Sequence, residues 1–292
     1  MKLAIVLSTH AAKFQAVTFK GDFEENVARI ASYGYDGVEL HIRDPKLVDG
    51  DELEAVVKEH GLEVPAIGTG QAWGEEHLSF TSDDPAIRRA AIERIKSHVA
   101  LAGRFSAVII LGLIRGITPR GQSHEQSMAY LVEALQECSA TVPDPVPVSP
   151  GPRGGARAGG IGKGRAADQG VRFALEPLNR YETDLIHTVE EGMDLVRRVG
   201  AENFGLLLDT FHMNIEEPSI EESIRACGDR IFHFHVADSN RWHPGAGHLD
   251  FSRILAALRE TGYAGYVSGE FMPLPDAQTG AQRAIKHLRC VA

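Results

Sequence analysis

Four mainly apolar runs in the second half of the chain each end on a residue able to bind a cation or move a proton. VRFALEP reaches Glu176, GLLLD reaches Asp209, IFHFH reaches His235 and YVSGE reaches Glu270. They lie 33, 26 and 35 residues apart, about one strand–helix unit each. Carboxylates brought close together repel one another unless something cationic lies between them. A divalent metal is the simplest such group. Three oxygen donors and one nitrogen suit Mn²⁺, Mg²⁺ or Co²⁺ better than a thiolate-seeking zinc site would. Taken singly, an acid at a strand end usually caps a helix or is solvated in a loop. Four in the same position on successive strands point instead to one shared site.

Other polar residues follow these closely. Glu182 lies six past Glu176, His212 three past Asp209, and Arg241 six past His235. Imidazole and guanidinium groups are suitable donors to hydroxyl or carbonyl oxygens. In GVELHI, Glu39 and His41 alternate with apolar neighbours and share one face of a strand; for Glu39 a structural role and a site role both stand. Phe14 and Trp73 fall in loops after strands, where an aromatic ring could wall a small polar substrate. His243 and His248 in HPGAGHLDF are lesser candidates, and Asp250 beside them is suited to cap a helix. Arg115 could hold a phosphate or face solvent.

Converging these residues requires a scaffold that aims many strand ends at one point. Short apolar runs alternate with segments of helical period. The runs predict strands over 2–8, 37–42, 63–69, 107–112, 171–177, 204–210, 231–237 and 266–271. Helices are predicted near 22–34, 51–60, 84–103, 122–140, 188–199, 219–229, 250–261 and 276–289. Asp51 and Thr188 stand as caps, and Ser219 with Glu222 as a capping box. Eight β-α units in 292 residues predict a single-domain (β/α)₈ barrel over 1–292, whose strand C-termini gather at one mouth. The rival, an open doubly wound sheet, lacks a dinucleotide fingerprint: GTGQAWG at 68–74 has the wrong glycine spacing and no obvious helix after it.

One stretch breaks the rhythm. Residues 141–165 hold 5 Pro and 7 Gly among 25 and interrupt the fourth helix, so a flexible surface insertion is expected there. Its GGIGKG fragment fails the phosphate-loop pattern at Arg157 and Gly164.

Composition narrows the remaining classes. Hydrophobic content of 43% and charged content of 24% are ordinary for a globular protein. A formal net charge of -10 disfavours nucleic-acid binding and would be partly offset by a bound divalent ion. The three cysteines lack disulfide or zinc spacing, so a reducing, cytoplasmic setting is expected. No apolar run reaches membrane-spanning length.

The tract from Val171 to Met272 resembles the xylose isomerase-like barrel superfamily, and within it the D-tagatose 3-epimerase (ketose 3-epimerase) family. The residues carrying the resemblance are LEPLNRYE, LLLDTFHMN, FHVADSNR, PGAGHLDF and GEF. It covers about a third of the chain strongly, whereas the first half matches mainly in rhythm and in GYDGVELHIRDP. The resemblance implies one divalent ion, Mn²⁺ first and Co²⁺ or Mg²⁺ next, held by Glu176, Asp209, His235 and Glu270. It implies Glu176 and Glu270 as the proton-transfer pair, and Glu182, His212 and Arg241 as substrate contacts. The expected activity is inversion of the carbon beside a ketose carbonyl through an enediolate. An aldose–ketose isomerase, a keto-inositol dehydratase and a sugar-binding barrel without turnover stand as alternatives. The expected partner is a small sugar, with a homodimer or homotetramer left open.

Overall fold

The computed structural model describes residues 1–142 and 170–291. In chain order its first half runs β1 (Lys2–Ser8), β2 (Phe19–Lys20), α1 (Phe23–Ser32), β3 (Gly37–His41), α2 (Gly50–Glu59), β4 (Ala66–Gly68), α3 (Gln71–Glu76), α4 (Pro85–Phe105), β5 (Val108–Leu111) and α5 (His124–Ser139). The second half runs β6 (Arg172–Leu175), α6 (Val189–Val199), β7 (Phe204–Asp209), α7 (Thr210–Glu216), α8 (Ile220–Cys227), β8 (Ile231–Val236), α9 (Phe251–Glu260), β9 (Tyr266–Gly269) and α10 (Ala277–Val291).

The strands are short and apolar because both faces are covered. Every residue of β3, β4, β5, β7 and β9 is buried. Their order is β2-β1-β3-β4-β5-β6-β7-β8-β9, all pairings are parallel, and β1 also pairs with β9. The sheet therefore closes into the expected eight-stranded barrel, with β2 a two-residue addition beside the end of β1. One apolar shell lies between strands and helices. A smaller one, built on Ala66, Val108, Ile110, Ala174 and Leu207, fills part of the lumen. Elsewhere the lumen is polar: Glu39 on β3 touches His233 and His235 on β8, although those strands are not neighbours.

All eight expected barrel strands are present, and the differences lie in short elements. A helix, α3, does follow β4, starting inside GTGQAWG and running on to Glu76. Another, α7, starts directly on the end of β7 because Asp209 caps it. Helix α2 is capped by Asp49, whose carboxylate accepts from the amides of Asp51 and Glu52, so Asp51 sits inside the first turn rather than before it. Thr188 caps α6 as expected and forms a full capping box with Glu191, while Ser219 caps α8 through the Glu222 amide without the return bond from the Glu222 side chain that the expected box requires. Asp250 caps α9. The insertion expected over 141–165 lies outside the described residues except for Thr141 and Val142. Val142 is buried in the core, so the packed chain continues past the expected start of that insertion. Among the described residues no helix is long and apolar enough to cross a membrane. All three cysteines are free thiols.

Gly205 in β7 tests how tightly the barrel closes. A Cβ there would lie 2.6 Å from the carbonyl oxygen of Arg230 and 2.8 Å from the Phe232 ring. Gly205→Val is expected to lower stability by about 1–3 kcal/mol in urea denaturation, despite the better strand preference of valine. An unchanged or raised midpoint would refute this closeness of β7 and β8.

Candidate metal centre and active site

The C-terminal ends of β6, β7, β8 and β9 bring Glu176, Asp209, His235 and Glu270 together. One donor atom from each lies within 4.8 Å of the others, and all four residues are buried. His235 Nδ1 is 4.0 Å from Glu176 Oε1 and 3.9 Å from Glu270 Oε2. Three of the donor atoms, Glu176 Oε1, Asp209 Oδ2 and His235 Nδ1, are buried without a hydrogen-bond partner. Buried polar atoms left unpaired are costly and rare. Three facing one another is the arrangement expected of atoms that share a cation. The donor set, three oxygens and one nitrogen, fits a divalent ion of the Mg²⁺–Mn²⁺–Co²⁺ kind.

The local sequence explains how each atom becomes available. Asp209 Oδ1 accepts from the Phe211 amide at 2.7 Å and caps α7, which turns Oδ2 toward the cluster. Period-two alternation along β8 sends both His233 and His235 into the lumen. There Glu39 accepts from the Nε2 of each, at 2.8 and 3.0 Å, leaving His235 Nδ1 at the mouth. Glu270 Oε2 accepts from Arg241 Nη2 at 3.0 Å, while Arg241 Nη1 donates to Glu182 Oε1 at 2.9 Å. Arg241 has φ of 59°, in the left-handed region, and its guanidinium lies over the rings of Phe211 and Phe14 at 4.7 and 5.2 Å.

Protonation follows from this crowding. Burial, then the charge of Glu270, holds the Glu176 carboxyl well above the usual carboxylate range. Burial likewise raises Asp209 to about 6, against the pull of Arg241. For His235 burial disfavours the charged ring, but Glu39, Glu270 and Glu176 together outweigh it and raise the imidazole to about 10. His212 is opposite: burial, then the Arg241 charge, keeps it neutral well below the usual imidazole range. Its Nδ1 accepts from the Asn179 amide at 3.2 Å and from Asn179 Nδ2 at 2.7 Å. The hydrogen is therefore on Nε2, which is buried, unpartnered and 3.7 Å from Glu176 Oε1.

A cavity of about 310 Å³ opens above the cluster, with Glu176, Glu182, His212, Arg241 and Glu270 in its wall. Phe14 and Trp73 line it, in the position expected for aromatic walls. A larger hollow of about 660 Å³ beside Trp242 and His287 brings no carboxylate to its lining. Thus the seven residues singled out as metal, catalytic or substrate candidates meet at one mouth. His41 joins them, with Nε2 3.7 Å from Glu270 Oε1. Glu39 does not reach the mouth; it lies one layer below, fully buried.

Other expectations are corrected. Arg115 neither faces solvent nor offers itself to a phosphate. It is fully buried and donates to the carbonyls of Gly112, Leu185, Ile186 and Leu111, and burial lowers its guanidinium to about 10. One of those carbonyls belongs to Ile186, a β-branched residue at φ 58°, so Arg115 braces a strained turn behind the Glu182 loop. His243 packs against Phe271 and His248 is exposed on Ser239; neither lines the cavity. Asn179 was missed. Its only signal is its position three residues past Glu176, and amides are common in loops.

A closed parallel barrel with a carboxylate–imidazole cluster at its C-terminal mouth defines a class of barrel enzymes. The chain belongs to the xylose isomerase-like TIM barrel family, which residues 27–145 and 159–290 match. It is 30% identical to a D-psicose 3-epimerase of Agrobacterium fabrum, across 88% of this chain and 81% of that protein. It is 29% identical to an L-ribulose 3-epimerase of Methylomonas sp., across 87% and 82%. A crystal structure of D-psicose 3-epimerase with D-tagatose, from Clostridium cellulolyticum, superposes with a TM-score of 0.78 at 25% identity, covering 100% of this chain and 99% of that one.

The raised pKa values set a sign for cation binding. Protons on Glu176, Asp209 and His235 compete with a cation for the same atoms, and they leave as pH rises. The gain in Tm on adding Mn²⁺ to chelator-treated protein is expected to be larger near about pH 8 than near about pH 6. A pH-independent gain in differential scanning fluorimetry, or none, would contradict this assignment of the cluster.

Proposed function

We propose that this chain is a divalent-metal-dependent ketose epimerase that inverts the carbon next to the carbonyl. The chain is an isomerase-class enzyme, in keeping with its sugar-epimerase relatives. Glu176, Asp209, His235 and Glu270 would hold one ion, Mn²⁺ by the donor set, with Co²⁺ and Mg²⁺ as substitutes. The observation that carries the proposal is the pair Glu176 and Glu270. Both are buried at the ends of β6 and β9, both approach His235 Nδ1, and both open onto the same cavity.

Inversion beside a ketone removes a proton from one face of a carbon and returns one to the other. One carboxylate takes the proton as base, leaving an enediolate; the second, protonated, delivers its proton to the opposite face, and the reverse reaction exchanges their roles. When bound, the ion would polarise the carbonyl and fix the neighbouring hydroxyl as a Lewis acid and template. His212 Nε2–H, the donor left unpartnered in the cavity, is suited to a developing oxyanion. Arg241 is anchored between Glu182 and Glu270, so its charge is fixed before substrate arrives. Among the cavity's Lys and Arg side chains, Lys13 is paired with Glu75 and Arg241 with those two glutamates. Three free thiols fit the cytoplasmic setting.

Glu176→Gln and Glu270→Gln are each expected to lower kcat by about 10²–10⁴-fold with the circular dichroism spectrum retained. In D₂O the wild-type product should carry deuterium at the inverted carbon by NMR. Near-normal turnover in either variant rejects the two-carboxylate scheme. Label at the neighbouring carbon, or loss of a hydroxyl, would replace epimerisation by isomerisation or dehydration.

A further inference from the structure

Glu39 is a fully buried carboxylate whose hydrogen-bond partners among the described residues are imidazoles, with no Lys or Arg against it. Interior ionised groups are costly, and apolar residues of similar size commonly pack as well or better. The lumen beside it is in fact filled by alanine, valine, isoleucine and leucine. Stability alone therefore does not account for Glu39.

Its partners do. Both Glu39 oxygens lie 3.0 Å from His235 Nε2, Oε2 lies 2.8 Å from His233 Nε2, and Oε1 lies 3.3 Å from His41 Nε2. A carboxylate only accepts, so each of these nitrogens must carry its hydrogen. That leaves Nδ1 as the one nitrogen of His235 able to present a lone pair. Nδ1 is buried, has no partner, and faces Glu176 and Glu270 at 4.0 and 3.9 Å. Without Glu39 those same two carboxylates would draw the ring hydrogen to Nδ1 and block it. The bond to Glu39 comes from the opposite side of the lumen, so it also fixes the plane of the ring.

We propose that Glu39 is a positioning residue for cation binding: it locks His235 in the Nε2–H tautomer and aims Nδ1 at the ion. This rests on the metal-dependent reading above. Carboxylate partners of this kind raise the basicity of a ligating imidazole and typically contribute about 10–100-fold to metal affinity. His233 shares the carboxylate but lies below the mouth, outside the cavity lining. Its role is to satisfy the second lone-pair set of Glu39.

The test reads cation affinity, not turnover, by titrating Mn²⁺ calorimetrically into chelator-treated full-length protein. Glu39→Gln can offer His235 Nε2 an N–H in place of an acceptor and is expected to weaken Mn²⁺ binding about 10–100-fold. His233→Gln keeps an N–H toward Glu39 and is expected to lower Tm without changing the affinity. Equal affinity in Glu39→Gln and wild type would overturn the positioning role while leaving the metal reading intact. Equal weakening in both variants would also overturn it, by moving the ion down to Glu39 and His233. Wild-type protein that binds no Mn²⁺ would overturn both readings together. Nitrogen-15 NMR of the Mg²⁺-loaded wild type supplies a measurement that needs no variant to fold. The His235 Nε2 resonance should correlate with a bonded hydrogen, and a bare Nε2 would refute the proposal.

Discussion

Mutual repulsion among buried acids is the constraint around which this barrel is organised. Glu176, Asp209 and Glu270 converge on one imidazole where little water can screen them. At such separations the interaction is worth kilocalories rather than tenths, because the effective dielectric is well below that of water. The closed ring of parallel strands prevents the four side chains from drifting apart. Part of the cost is relieved by Arg241, which is gripped by Glu270 and Glu182. Three donor atoms remain unpartnered, and burial, with the neighbouring carboxylates adding to it, holds Glu176 and Asp209 above their ordinary range. The same carboxylates, with Glu39, raise the His235 imidazole to about 10 against the effect of its burial.

Several side chains meet this constraint by dividing their atoms between two tasks. Asp209 spends Oδ1 on the first turn of α7 and keeps Oδ2 for the cluster. The two nitrogens of His235 point to opposite layers of the lumen. His212 accepts at Nδ1 from Asn179 and keeps its Nε2 hydrogen for the cavity. In each case the scaffold bond fixes the orientation of the atom that would do chemistry, so little ordering is left to be done when substrate arrives.

The pattern was legible where it was strong and local. Short apolar runs in a β-α rhythm located all eight barrel strands, because a strand buried on both faces reads as an apolar run. Glu176, Asp209, His235 and Glu270 stood out because each interrupts such a run at its end. The short helices α3 and α7 were not legible: six and seven residues are too few to show a helical period. Arg115 misled for a related reason. A guanidinium in a loop is usually solvated, and nothing in its neighbours along the chain announces that Leu185 and Ile186, some seventy residues away, will supply its acceptors.

The amino-acid sequence by itself determined the repeating β-α order, the closure it requires, and the residue types at four successive strand ends, because these follow from local periodicity and fixed spacing. Only the tertiary structure decided which atom of each residue faces the cluster. It also decided that Asn179 sets the hydrogen on His212, and that Glu39 meets His235 across the lumen from a non-adjacent strand. The physical reason is that hydrogen-bond direction depends on where distant segments come to rest. Such contacts have no period along the chain, and they exist only once the barrel has closed.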